Sequence, residues 1–451
     1  MRCTPGIPPV GASRLRRAFG LLAAVLLLTA LVPATAGAAA RAALRPIVFV
    51  HGFFGSGSQF ATQAKRFASN GYPASHIQYE EYDSLFVSNT REEVLASLDR
   101  RIAQLKAATG ADKVELVGHS LGTSISQEYL NSSPQRAADV AHYVNIDGTT
   151  ATSLPGGVPT LALWAEGRED STITGATNVH LPNESHVENA SSPASFAAMY
   201  EFFTGRKPQT TQVVAEQGEI QLAGRAVRFP SNTSPGDAVV DVFEVDPATG
   251  RRTTQQPIQS MRVSADGSFG PFRASGSAYY EFRLTRSDTD QQHHLYFEPF
   301  RRTDLGVRLL SSDPGRGVDR LIQRGPGHVA LLAYRNKEWW GDQGAGGDTL
   351  TINGVPVVNE GTAPRDKRAI GLFAFDRFSD RRSHPDRSFG LFPALPFMTA
   401  VDLFMASAEP ATGTVTLATT QRGGGRPTRI TIPNWPSQTH TVTVNFNDHV
   451  S

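Results

Sequence analysis

The sequence runs to 451 residues, more than one ordinary hydrophobic core serves, so two or three domains are expected. Its 43 basic and 42 acidic side chains leave a net charge of +1, which offers no field for nucleic acid or anionic lipid; no stable protein partner is implied. The single cysteine, Cys3, falls in the N-terminal segment described next, so the remaining chain has no disulfide, no thiolate metal site and no cysteine nucleophile.

Residues 1–40 read as a unit of their own. Arg14, Arg16 and Arg17 give a positive start, and Leu21 to Leu31 is an apolar core too short to span a bilayer comfortably. Pro33 and a run of small residues to Ala40 complete the pattern of a secretory signal peptide, cleaved near residues 36–40. The expectation is a secreted protein.

From about Arg41 to 206, strands and helices alternate. Ile47-Val48-Phe49-Val50 is a short apolar strand that breaks into the glycine-rich loop His51-Gly52-Phe53-Phe54-Gly55-Ser56-Gly57. His76 to Tyr82 predicts a second strand. Thr90 with Glu93 three residues on is a capping box, and Val94, Leu95, Leu98, Ile102 and Leu105 form one helical stripe that stops at Gly110. Val114 to Val117 predicts a third strand. It enters Gly118-His119-Ser120-Leu121-Gly122, after which the spacing is helical. Ala141–Ile146, Thr160–Ala165 and Thr177–Leu181 supply three more strands, and Ser192-Pro193 opens a last helix with Phe196, Met199, Tyr200 and Phe203 on its buried face. Six strands alternating with helices predict an α/β domain built on a mainly parallel sheet covered on both sides.

After 206 the rhythm changes to two-residue alternation. Val240–Val245, Ala278–Leu284 and Thr439–Val444 predict strands, while Asp266-Gly267 and Asn353-Gly354 predict hairpin turns. The second half is therefore expected to be all-β, as a small sandwich over 207–300 and a further β-rich module over 301–451. Two apolar features stand out there, Trp339-Trp340 and the run Leu391 to Met398. Exposed, they would grip lipid or polymer; packed inside, they would be core.

The serine hemmed in by glycines carries the chemistry. A serine hydroxyl at neutral pH needs a base, a group to orient that base and donors for a developing oxyanion. A strand–turn–helix with G-x-S-x-G lifts the serine above the carboxyl edge of a parallel sheet, beside a helix N-terminus. Ser120 is the expected nucleophile. The base should lie in a loop beyond a later strand. His142 precedes its strand, His180 lies within one, His119 is inside the turn and His51 comes before the nucleophile. His186, between the last strand and the last helix, meets the requirement. For the acid, Asp147 and Asp170 both follow strands at the carboxyl edge; Asp147, directly at its strand end and followed by glycine, is preferred over Asp170 in a charged loop. Backbone N–H groups of Leu121 and Phe53, with Phe54 next, are the expected oxyanion donors, and Phe53, Phe54 and Phe60 are candidate walls of an acyl pocket. No metal or organic cofactor is needed, and no H-E-x-x-H set occurs.

Five stretches, PIVFVHGFFGS, DKVELVGHSLGT, VAHYVNIDG, PTLALWAEG and NESHVENASSPASF, together resemble the α/β-hydrolase lipases, and in particular the two-part archaeal-type lipase with a C-terminal β domain. The resemblance implies a minimal α/β-hydrolase followed by β-sandwich modules, the first of transthyretin type, that help bind lipid. It implies Asp147 as the acid, His186 as the base, Phe53 and Leu121 as the oxyanion residues, and a lipid or other ester substrate met at a lipid–water interface. One departure matters: Glu81 to Phe86 runs almost at once into the Thr90 helix, so the large helical lid of that lipase is missing. A more open acyl pocket, with shorter or more varied esters accepted, is the consequence. An esterase that grips a polymer through the β region, and an inactive fold used for adhesion, are the competing readings.

Overall fold

The computed structural model describes residues 44–449, so the signal-peptide segment lies outside the described residues. The first domain is built from β1 (Ile47–Val50), α1 (Ala61–Ser69), β2 (Ile77–Glu80), α2 (Arg91–Thr109), β3 (Val114–His119), α3 (Leu121–Ser132), α4 (Pro134–Ala138), β4 (Val140–Ile146), β5 (Thr160–Trp164), β6 (Thr177–His180), α5 (Glu188–Ser191) and α6 (Pro193–Thr204). Its six strands pair in parallel in the order β2-β1-β3-β4-β5-β6. The strands are buried apolar runs because both faces are covered. Alternate residues of β1 face opposite cores: Ile47 and Phe49 pack with Phe67, Phe196 and Met199, whereas Val48 and Val50 pack with Leu98, Ile102 and Ile125.

The helix boundaries follow local chemistry. Thr90 accepts from the Glu93 N–H while Glu93 reaches back to the Thr90 N–H, and α2 ends at Gly110 with φ 71°. The Ser192 hydroxyl caps α6, and Pro193 occupies its first turn. Three helices escaped the pattern, α1, the short α4 and the single turn α5. In α1 the polar residues Gln63, Lys65 and Arg66 are buried together with Phe67, which erases the alternation of faces that betrays a helix.

Beyond 206 the described residues hold no α-helix. Strand Glu219–Arg228 pairs with Ser268–Ser275 and, in parallel, with Asp304–Ser311. An eight-stranded sheet then runs through both halves of the β region, joined where Gln292–Phe297 pairs in parallel with His440–Asn445. Two cores sit on it, one around Leu222, Val242 and Phe282, the other around Trp339, Leu372 and Val444. Asn353-Gly354 forms the expected hairpin turn, with φ of 51° and 81°. Asp266-Gly267 does not: the flanking strands Gln259–Arg262 and Ser268–Ser275 belong to different sheets, so the turn makes a corner between layers. Trp339 and Trp340 are buried, as is Phe392, while Leu391 is exposed.

The β region packs directly on the first domain. Lys65 pairs with Asp304 at 3.2 Å and Arg308 with Glu81 at 2.5 Å, both pairs almost completely buried. Asn232 donates to the Gly55 and Tyr82 carbonyls at 2.8 and 3.1 Å.

Buried histidines make stability depend on pH. Burial pushes the imidazoles of His119, His293 and His449 from 6.5 down to about 3. The unfolded chain protonates near 6.5, so their contribution is complete above that value and is lost as pH falls toward 3. Burial acts oppositely on Glu184 and Glu298, raising both to about 7, which offsets part of the loss between 4.5 and 7. Three imidazoles outweigh two carboxyls, so the urea midpoint is expected to be lower at pH 4 than at pH 7. A midpoint that is unchanged or higher at pH 4 contradicts this balance.

Candidate active site

Ser120 stands between β3 and α3 with φ 53° and ψ −120°, a conformation costly for any residue with a side chain. The neighbouring glycines make that turn possible. A Cβ on Gly122 would lie 2.2 Å from the Val50 carbonyl oxygen, so α3 can start against β1 only without one. The Ser120 N–H donates to the Ile146 carbonyl at 3.0 Å, and its carbonyl accepts from Thr123. Its hydroxyl, partly exposed, has no hydrogen-bond partner among the described residues.

Asp147 leaves β4 with φ 44° and is almost fully buried. Its Oδ2 accepts from His186 Nδ1 at 2.5 Å and its Oδ1 from the Ala165 N–H at 3.0 Å. Burial alone would raise this carboxyl; the bond and charge of His186 and the Ala165 N–H outweigh it and hold Asp147 below the ordinary range. A proton on His186 Nδ1 leaves Nε2 as the basic nitrogen, and Nε2 has no partner among the described residues. Behind the pair, His119 Nε2 donates to the His186 carbonyl at 2.9 Å. Burial first, and His186 second, keep His119 neutral, which suits a support for the loop.

The remaining expectations sort clearly. Asp170 is exposed and far out in its loop, so of the two acids only Asp147 meets His186. His142 binds Glu115 at 2.9 Å at the opposite edge of the sheet, and His180 bonds the Ser171 carbonyl. The loop after β1 passes directly beside the serine: a Cβ on Gly52 would lie 2.9 Å from Ser120 Cβ. The next residue, Phe53, and Leu121 both have N–H groups with no acceptor among the described residues, whereas the Phe54 N–H donates to Ser84 Oγ at 2.9 Å. Two unspent donors flank the serine, and Phe54 is not one of them. Phe60 is fully buried in the core against Phe49.

A cavity of about 300 Å³ is walled by Phe54 from the first domain and by Phe229, Phe373, Phe397 and Met398 from the β region; Ser120, Asp147 and His186 are not among its lining residues, and Phe397 is its link to them. Phe397 also stacks near His186, ring centres 6.2 Å apart. Phe54 and Phe397, like Ser120 and Asp147, have positive φ, at 52° and 62°. Strained backbone thus gathers around one spot. Sequence reasoning missed the part taken by Asn232, which donates to the His51 ring at 3.2 Å behind the same loop. Nothing local signals a contact made across so many residues. Among the described residues, no group of three or more His, Cys, Asp or Glu side chains is arranged to hold a metal ion.

Comparison with known proteins agrees with this architecture. Residues 45–234 match the family model of the alpha/beta hydrolase fold, residues 218–314 that of the lipase C-terminal domain, and residues 317–450 that of a further C-terminal domain. No curated protein matches the chain. Solved structures with similarity include lipase B of Aspergillus fumigatus, at 13% identity over 37% of this chain and 54% of that one, with a TM-score of 0.30. An alpha/beta hydrolase enzyme from a lagoon-sediment metagenome shares 17% identity over 36% of this chain and 91% of its own, with a TM-score of 0.28. Phospholipase PlaB of Legionella pneumophila shares 9% over 59% of this chain and 94% of its own, with a TM-score of 0.25. The parallel sheet, the serine turn and these matches make the first domain an α/β-hydrolase fold, followed over residues 218–314 by a region that matches the lipase C-terminal domain.

Proposed function

We propose that the protein is a secreted serine hydrolase of carboxylic esters, with fatty-acyl esters such as triacylglycerols as its substrate class. The observation that carries this reading is the Asp147–His186 hydrogen bond next to a strained serine whose hydroxyl has no partner among the described residues. In the reaction, Ser120 Oγ attacks the acyl carbonyl and His186 Nε2 takes its proton. Asp147 holds the imidazole and stabilises its cation, while the Phe53 and Leu121 N–H groups receive the oxyanion. His186 then passes the proton to the leaving alcohol, and water repeats the sequence to release the acid. Secretion rests on the charged, apolar and small-residue pattern of residues 1–40.

The cavity supports an acyl substrate. Its walls are chiefly aromatic and aliphatic, its volume lies at the small end of ligand sites, and one of its walls, Phe397, stacks near His186. The buried Trp339-Trp340 pair offers nothing to a polymer, which favours the acyl ester over a polymeric one. A series of p-nitrophenyl esters from acetate to palmitate tests this. We expect kcat/KM to rise with acyl length and Phe397→Ala to lower it about 10-fold for the preferred longer ester, with a much smaller effect on acetate. An equal loss on both esters would remove the cavity from acyl binding.

A further inference from the structure

The loop that carries His186 is held from a distant part of the chain. Glu338 lies in the β region, its side chain fully buried. One carboxylate oxygen accepts from the Val187 N–H at 2.5 Å. The other accepts from the Glu188 N–H at 2.9 Å and from the Ser185 hydroxyl at 2.7 Å. Its three donors, Ser185, Val187 and Glu188, therefore bracket His186 on both sides. Fully desolvated carboxylates are costly unless their lone pairs are satisfied, so this group fixes the backbone on both sides of the imidazole.

Glu338 is itself clamped. Its carbonyl accepts from Arg335 Nη2 at 2.6 Å and from Arg422. Arg422 also binds Asp348 at 2.7 Å and the Glu188 side chain at 2.6 Å, and Lys337 binds Glu188 at 3.0 Å. The tryptophan pair supplies the seats: the Arg335 guanidinium lies 3.7 Å over Trp339, and that of Arg422 lies 3.8 Å over Trp340. From the opposite side His119 holds the His186 carbonyl.

We infer that Glu338 is a positioning residue for His186, so that the β region completes the catalytic base as well as walling the acyl cavity. This rests on the ester-hydrolase reading above. With the loop fixed at residues 185, 187 and 188, the imidazole keeps its bond to Asp147 and its Nε2 stays aimed for proton transfer. A shift of this loop by a fraction of a bond length weakens the chemical step without touching substrate binding.

The test uses the full chain and p-nitrophenyl acetate, an ester too short to need the cavity. Glu338→Gln keeps the shape but sets an N–H₂ against a backbone donor; Glu338→Ala removes every acceptor. We expect kcat to fall about 10- to 100-fold with KM changed less than about twofold, Gln falling less than Ala. Ser185→Ala, which deletes one of the three donors and leaves the carboxylate in place, decides the matter if the Glu338 variants fail to fold, and is expected to lower kcat about 3- to 10-fold. Folded variants with wild-type kcat, or a loss confined to KM, overturn the inference. A wild-type protein that cleaves no activated ester, and whose Ser120 takes no fluorophosphonate label, defeats instead the underlying reading of the site.

Discussion

Ser120→Ala is expected to lower kcat for an activated ester by about 10,000-fold or more, with the thermal midpoint close to that of the wild type. Removing one hydroxyl breaks no hydrogen bond, because Oγ has no partner among the described residues. Alanine has a Cβ like serine and tolerates φ 53° no better, so the strained turn is neither relieved nor worsened. The backbone N–H of Ser120 still meets the Ile146 carbonyl, and Phe53 and Leu121 keep their unspent N–H groups. On the proposed mechanism, what is lost is the atom that bonds to the acyl carbon. Steady-state hydrolysis of p-nitrophenyl butyrate and a melting curve on the same preparation check both halves of the expectation.

Asp147→Asn is expected to cost about 10,000-fold in kcat, whereas Asp170→Asn should leave activity near that of the wild type. The carboxylate does two things at once: it accepts from the Ala165 N–H through Oδ1 and from His186 Nδ1 through Oδ2. An amide has only one acceptor. If its oxygen stays with Ala165, its N–H₂ faces Nδ1, and the imidazole must then carry its proton on Nε2. In that tautomer it cannot take a proton from Ser120. The loss therefore comes from a proton on the wrong nitrogen, and it is expected to ease at high pH. Kinetics of the two variants across pH check it; equal losses from Asp147→Asn and Asp170→Asn would mean that the acid lies elsewhere.

Much of the first domain could be read from residues one after another. The apolar strands, the Thr90–Glu93 box, the Gly110 stop and the glycine-flanked Ser120 are local signals whose partners lie within a few residues. Asp147 was legible only as one of two candidates, because its meeting with His186 depends on how β4 and the loop after β6 converge. Helix α1 was hidden for a related reason: Gln63 donates to the Ser192 carbonyl, Arg66 to the Ser191 carbonyl, and Lys65 meets Asp304. Polar residues buried by pairing look, in one dimension, like exposed ones. The shared eight-stranded sheet was equally out of reach, since Gln292–Phe297 finds its partner at His440–Asn445. Trp339-Trp340 was visible as unusual, but only the stacked guanidiniums of Arg335 and Arg422 show it seated beneath the loop that carries the imidazole.

Covalent labelling tests the central claim most directly. Intact protein treated with a fluorophosphonate, digested and mapped by mass spectrometry, is predicted to carry a single adduct on Ser120, formed far more slowly in His186→Ala and absent in Ser120→Ala. An adduct on another residue of an active preparation, or ester turnover that survives Ser120→Ala at the wild-type rate, would contradict it.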